Sequence, residues 1–385
     1  MTEPTGAVRA LGCTPKRRVE QNRLRSSIAA VNRVARARAL ARSRAPFVRT
    51  MAALTLASLT SAIAAAAAAA GAKTSSQPKT LGTFYGSISP TRVSFAFFLA
   101  LAISVRGYRK GSLNRSGATL ALFVGFISCA ASVSFGITLI VFFLGSSKVT
   151  RIGAEKKKKI EDGHQVGGNR NWVQVAANGG FGTAVAWLFL TRWMPLGLPA
   201  ELPLDNARHP VETWLQLAYV CHYAACNADT WASELGVLST VKPRLITAPW
   251  REVPTGTNGG VTVAGTAASA AGGLVIGLTF WLVGLVMRTS WFLSPRLLTE
   301  APPQWPVVFV GGAAGLLGSM IDSLLGATLQ YSGWCSKKKL VVEEPSDTST
   351  RISGWDVLSN HQVNFFAAAF TGWIGARTAR RVLFY

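Results

Sequence analysis

The chain has 385 residues, 49% of them hydrophobic and only 15% charged, with a mean hydropathy of +0.28. Long uncharged runs at that balance exclude an ordinary water-soluble globule and point to a polytopic helical membrane protein. The formal net charge of +23 does not signal nucleic acid: the basic residues sit in an N-terminal arm and in loops between apolar runs, with no aromatic-interleaved patch, and positive-inside topology accounts for the loops.

Residues 1–50 carry twelve Arg and Lys against Glu3 and Glu20, mixed with Ser and Ala. This composition reads as an organellar targeting arm, and with the Ala-rich run 51–72 and a polar linker it is expected to be largely disordered over 1–80. The remainder, 81–385, reads as one polytopic membrane domain. A first span is predicted over 88–105, ending at Arg106, Arg109 and Lys110. The stretch 116–147 then has no charge; as one helix it would measure roughly 48 Å, too long for a single ~30 Å crossing. A small-residue break at 129–134 predicts two short helices forming a hairpin. Further spans are predicted over 172–190, 214–238, 261–286, 307–331 and 363–376. The expectation is an all-α bundle of about eight transmembrane helices, within a range of six to nine. With eight crossings the loops 106–115, 148–171, 241–260 and 332–361 share one face and hold most of the Lys and Arg, including the cluster at 156–159. No internal repeat stands out.

Five scattered cysteines (Cys13, Cys129, Cys221, Cys226, Cys335) contain no CxxC pair, so neither a disulfide framework nor a zinc ribbon is indicated. Cys221, His222 and Cys226 read as helix-packing residues, with metal ligation the alternative that no second ligand pair of matching spacing supports.

The most informative stretch is Asn227-Ala228-Asp229-Thr230-Trp231-Ala232-Ser233-Glu234-Leu235-Gly236. On a helix, Asp229, Thr230, Ser233 and Glu234 fall within one arc of roughly 140°. Acids at membrane depth are costly unless they pair, bind a cation or face water, so this face is predicted to hold a divalent cation or a proton. Asp322, followed by Ser323 and Gly326, is a third such acid. It lies within the predicted span 307–331, whose Gly311/Gly315 and Ala314/Gly318 spacings suit close backbone packing. Acids from two helices, together with a phosphate, would complete the oxygen shell of Mg²⁺.

Pro254-Thr255-Gly256-Thr257-Asn258-Gly259-Gly260 precedes the sixth predicted span. Its glycines permit convergent N–H groups ahead of a helix N-terminus, so Gly256, Asn258, Gly259 and Gly260 are candidate phosphate-binding residues, a plain turn being the alternative. Arg244 and Arg251 lie just upstream and are further candidates. It is not a Walker A loop, since GxxxxGK[ST] is absent. In Gly167-Gly168-Asn169-Arg170-Asn171-Trp172, Arg170 could meet a phosphate bidentately, while Trp172 reads as an interface anchor. Asn360 and Asn364, opening the last span, read as capping residues, with ligand contact the alternative.

In combination these blocks resemble the transmembrane protein 19 family, which includes the plant chloroplast phytyl-phosphate kinase. The resemblance rests on SGA at 116–118 with VGF at 124–126, GNRNWVQ at 168–174, ADTWASELG at 228–236, PRLIT at 243–247, PTGTNGGVTV at 254–263, PQWP at 303–306, GLLGSMID at 315–322 and GATLQY at 326–331. It covers about 109–376 and leaves the arm outside; Asn227-Ala228 departs mildly from the expected pattern. The resemblance implies an integral-membrane prenyl-phosphate kinase. Such an enzyme would transfer phosphate from a nucleoside triphosphate, CTP by analogy, to phytyl phosphate or a similar isoprenyl monophosphate, in tocopherol and phylloquinone synthesis. On that reading Asp229, Glu234 and Asp322 hold Mg²⁺ and act in catalysis, while Arg170, Arg244, Arg251 and the 256–260 loop hold phosphates. Membrane lipid and the isoprenyl phosphate are the partners, with no nucleic acid. The chloroplast envelope is the expected location, a mitochondrial or endoplasmic reticulum membrane the alternative. A transporter using intramembrane acids for ion coupling, or a non-catalytic membrane protein, are the rival readings.

Overall fold

The computed structural model describes residues 90–157, 168–196, 201–289 and 300–385, all within a compact unit, Lys73–Tyr385. The targeting arm and linker expected over 1–80, and part of the basic cluster at 156–159, lie outside the described residues.

The described chain is mostly helical. It runs α1 (Pro90–Arg109), α2 (Arg115–Ala131), α3 (Val133–Arg151), the short α4 (Ala154–Lys157), α5 (Trp172–Leu196), α6 (Pro210–Gly236), α7 (Val263–Thr289), α8 (Val307–Leu329) and α9 (Asn360–Leu383). Eight long helices therefore stand near the eight predicted segments. By length and apolarity, however, four of the described helices qualify as membrane-crossing: α3, α5 over Trp172–Arg192, α7 over Val263–Met287, and α8. The others are shorter, or carry polar groups along their length, as α6 does with Glu212, His222, Asn227, Asp229 and Glu234. The last helix is longer than predicted, continuing through Arg377, Arg380 and Arg381.

The predicted break in the uncharged run is present at Ser132, which caps α3 by accepting from the Phe135 N–H. The Glu201 carboxylate holds this tip. It accepts from Val133 N at 2.6 Å, Ser134 Oγ at 2.7 Å and Ser132 Oγ at 3.0 Å. Arg92 donates to the Ala130 and Ala131 carbonyls that end α2. An anion at a helix start and a cation at a helix end each complement the local dipole.

Helix α6 is the hub of the bundle, packed by α3, α5, α7, α8 and α9, and its residues from Leu215 to Ala228 are almost wholly buried apart from neighbouring polar ends. Backbone contact is made possible by small residues. A Cβ on Gly315 would lie 2.8 Å from Gly273 Cα and 3.0 Å from Ala228 Cβ, and one on Gly318 would lie 2.4 Å from Ala225 Cβ. The small-residue face predicted on α8 is thus the seam that brings α7 and α6 against it. Away from the seam, Leu274, Leu278, Leu282 and Val286 of α7 are exposed, as are Phe309, Leu317, Met320 and Leu324 of α8. Apolar stripes turned outward, with polar groups turned inward, are what a lipid solvent selects.

The loops at 241–260 and 332–361 hold two small antiparallel sheets that the sequence reading does not anticipate. One orders β1 (Arg244–Leu245), β2 (Ala248–Glu252) and β3 (Gly260–Val261) as β2-β1-β3. The other orders β4 (Ser332–Cys335), β5 (Leu340–Val342) and β6 (Ser349–Ser353) as β5-β4-β6.

Candidate functional site

A polar cavity of about 460 Å³ opens among α5, α6, α7, α8, α9 and the glycine loop. Helix α6 contributes Asp229, Thr230, Ser233 and Glu234, the arc predicted from the helical period. Helix α8 contributes Ser319, Asp322 and Ser323; α9 contributes Asn360 and Asn364; Arg170, Gln174 and Asn178 come from the start of α5 and the turn before it. Residues 255–260 line the opposite wall.

Asp229 and Asp322 come from helices held close by the Gly318–Ala225 contact, and both acids line the same two cavities. Two carboxylates this close repel unless a proton or a cation lies between them. Beneath them a smaller cavity of about 10 Å³ is lined by both acids, Asn178 and Asn364, room for about one water-sized species. The Asn364 amide, turned to satisfy both neighbours, donates to Asn360 O at 2.9 Å and to Asp322 Oδ2 at 3.2 Å. Carboxylates, carboxamides and hydroxyls are hard oxygen donors, the set that suits Mg²⁺.

Glu234 lines the same cavity but is otherwise engaged. It pairs with the buried Lys157 Nζ at 2.5 Å, and Lys157 also donates to the carbonyls of Val149 and Thr150. Among the described residues no three His, Cys, Asp or Glu side chains gather as a metal cluster. The three-acid set expected from sequence is thus a pair, Asp229 and Asp322, with Glu234 in an adjacent ion pair.

Arg170 is fixed by its main chain. Its N–H donates to Ser112 O and its carbonyl accepts from Asn114 N, each at 3.0 Å. A Cβ on Gly117 would fall 2.1 Å from that carbonyl, so α2 can start there only with glycine. Positive φ at Gly168 and Asn169 turns the chain into this position. The guanidinium donates to Ser147 Oγ at 3.1 Å. Burial lowers its pKa below that of a free guanidinium, the Glu234 carboxylate opposes that, and Arg151 adds to it; the group stays cationic.

The glycine loop reaches the cavity for a steric reason. Gly259 has φ +77°, and a Cβ there would lie 2.4 Å from Ala327 Cβ and 2.6 Å from Ser323 O of α8. Gly256 also has positive φ. Three of the loop's N–H groups are already used: Thr257 N donates to Pro254 O and Gly260 N to Thr257 O within the loop, and Asn258 N donates to Ser332 Oγ of β4. The cradle predicted over Gly256, Asn258, Gly259 and Gly260 is therefore narrower than a full nest, with Gly256 and Gly259 the candidates for holding an outside anion.

Arg244 and Arg251 do not line the cavity. They lie on β1 and β2 with exposed side chains; Arg244 donates to Pro249 O and faces Glu252. Sequence proximity to the glycine loop suggested a shared site, and strand pairing turns them outward. Asn360 and Asn364 are not the caps of α9, because Ser359 and Gln362 form its capping box. That frees both asparagines for the cavity. Asn178 gave no warning at all; its carbonyl oxygen lies 2.9 Å from His222 Nε2. His222 is wholly buried, in keeping with a packing role, and Trp172 is 55% exposed, as an interface anchor requires.

A bundle with outward apolar stripes around an inward oxygen-rich cavity defines a polytopic integral membrane protein with a polar site between its helices. The family model described as integral membrane protein DUF92 matches residues 98–372, and the chain belongs to that family; the resemblance to the transmembrane protein 19 family holds. Protein PGR of Arabidopsis thaliana is 41% identical over 285 residues, covering 74% of this chain and 94% of that protein. An uncharacterized membrane protein of Methanocaldococcus jannaschii is 28% identical over 284 residues, covering 74% and 92%. One from Synechocystis is 28% identical over 194 residues, covering 50% and 62%. No solved structure matches.

Proposed function

We propose that this protein is an integral-membrane prenyl-phosphate kinase, moving phosphate from a nucleoside triphosphate, with CTP the favoured donor, to phytyl phosphate or a similar isoprenyl monophosphate. The observation that carries the reading is the meeting of Asp229, Asp322, Arg170 and the glycine loop around one cavity within a membrane bundle. The substrate class comes from the family resemblance, and the basic N-terminal arm favours the chloroplast envelope and tocopherol or phylloquinone synthesis.

Asp229 and Asp322, with Asn178 and Asn364 beside them, would hold Mg²⁺. When bound, the ion would neutralise the charge of the triphosphate and polarise its transferable phosphoryl group. Arg170 would hold the acceptor phosphate, and Gly256 and Gly259 would direct N–H groups at the donor phosphates. The Lys157–Glu234 pair would keep the end of α6 in place and balance charge at the rim. An acceptor that is already an anion requires little base catalysis, so alignment and charge neutralisation supply most of the acceleration.

The test is a phosphotransfer assay on the purified full chain with phytyl phosphate, Mg²⁺ and each of four nucleotides. Formation of phytyl diphosphate that Asp229→Asn abolishes is the expected result. Undiminished activity in Asp229→Asn removes the metal assignment, and absence of transfer with every nucleotide removes the kinase.

A further inference from the structure

Beside the polar cavity lies a second, almost entirely apolar one of about 80 Å³, bounded by α1, α2, α3 and α5. Ile103, Ala121, Leu139, Ile140 and Phe143 are among its walls. The two cavities are not independent. Arg170, Gln174 and Asn178 line both, and their spacing of four residues sets them on one side of α5 and its N-terminal turn. One molecule can therefore touch both, with a charged end against Arg170 and a hydrocarbon end among the α2 and α3 side chains.

We infer that the apolar cavity seats the head-proximal part of the single hydrocarbon chain of a long-chain monophosphate whose phosphate is held at Arg170. The inference rests on the kinase reading for the identity of the head group, and on the shared lining for where the tail goes. Three features select this occupant. The cation stands at the junction and not at the far end, which orients an anionic amphiphile head to cavity. The apolar cavity is far smaller than the polar one, so it admits a stretch of one chain and excludes the paired chains of a glycerophospholipid. Its walls offer almost no polar partner, so a nucleotide base or sugar would lose hydrogen bonds there without replacement. The rest of a long tail continues along the outward apolar surface, where Phe95, Phe98 and Phe123 of α1 and α2 are exposed.

The experiment uses the full chain in phosphatidylcholine nanodiscs and a twenty-carbon isoprenyl monophosphate bearing a diazirine on its first isoprene unit. After irradiation, labelled residues are mapped by mass spectrometry, with unlabelled isoprenyl monophosphate, the parent alcohol and phosphatidic acid as competitors. Labels on Leu139, Ile140 or Phe143 are expected, displaced by the monophosphate and not by the alcohol or phosphatidic acid. Ala121→Trp, which fills the cavity from α2, should lower labelling about tenfold, the equivalent of roughly two buried methylenes; Ile140→Trp from α3 serves if the first variant does not fold. Labels confined to outward residues such as Leu274 and Leu278, or equal displacement by phosphatidic acid, overturn the inference. Specific labelling of the cavity without phosphotransfer upholds it and overturns the kinase reading. Phosphotransfer with labels elsewhere does the reverse.

Discussion

Replacing Gly259 by alanine tests how the glycine loop is held against α8. At φ +77° any L side chain costs about 1–2 kcal/mol relative to glycine. The added methyl would also lie 2.4 Å from Ala327 Cβ and 2.6 Å from Ser323 O. Carbon atoms rest at about 3.5–4.0 Å, so the loop must retreat from the helix by roughly 1 Å, an overpacking cost of about 1–3 kcal/mol. The total expected loss is about 2–5 kcal/mol. Gly111→Ala is the control: φ is +68°, yet nothing lies within 4 Å of its added Cβ, so it should lose only about 1–2 kcal/mol. Thermal unfolding of the full chain in detergent, the three proteins side by side, reads the difference. Phosphotransfer should fall further in Gly259→Ala, since a displacement near 1 Å in a positioned reaction can cost about a hundredfold. Equal melting shifts for the two variants, or intact activity in Gly259→Ala, would refute the claim that this contact sets the cavity wall.

Asp229→Asn and Asp322→Asn should each reduce Mg²⁺-dependent phosphotransfer by about a hundredfold or more, and isothermal titration with Mg²⁺ should show the loss in both; a defect in one alone would break the paired-acid assignment. Arg244→Ala with Arg251→Ala, whose side chains do not line the cavity, should leave transfer within about twofold, and a large loss would restore them as phosphate ligands. Glu201→Ala removes the acceptor for three donors at the start of α3 and should cost about 2–4 kcal/mol. Its melting temperature reads that cost, and an unchanged value would mean that solvent caps the helix equally well.

What the sequence revealed depended on how local the cause was. The break at Ser132 could be read because 32 uncharged residues exceed a bilayer and only the small-residue stretch could interrupt them. The Asp229 face could be read because a helix repeats faithfully over six residues. The inward place of Asp322 followed from its expense in lipid, and Gly311, Gly315 and Gly318 from the spacing of a close seam. The two small sheets could not be read, because strands of two to five residues carry little periodicity and β6 pairs with β4 across an intervening strand. Their pairing also decided the fate of Arg244 and Arg251. Asn178 joins the acids from a helix distant in sequence, and an asparagine in mid-helix carries no sign of what it will face. Span number is hidden for a related reason: α6 and α9 are long, but the polar groups that make the cavity spoil the apolarity by which a crossing is recognised.

The carbonyl of Arg170 occupies the space that a methyl group on Gly117 would need, so the arginine is registered to α2 by main chain and not by the reach of its own flexible stem. On the proposed reading, a ligand gripped there would be measured from a fixed origin. Chain length could then be sensed as on a ruler, by counting carbons from an immovable zero, and the zero mark would be a glycine that touches no ligand.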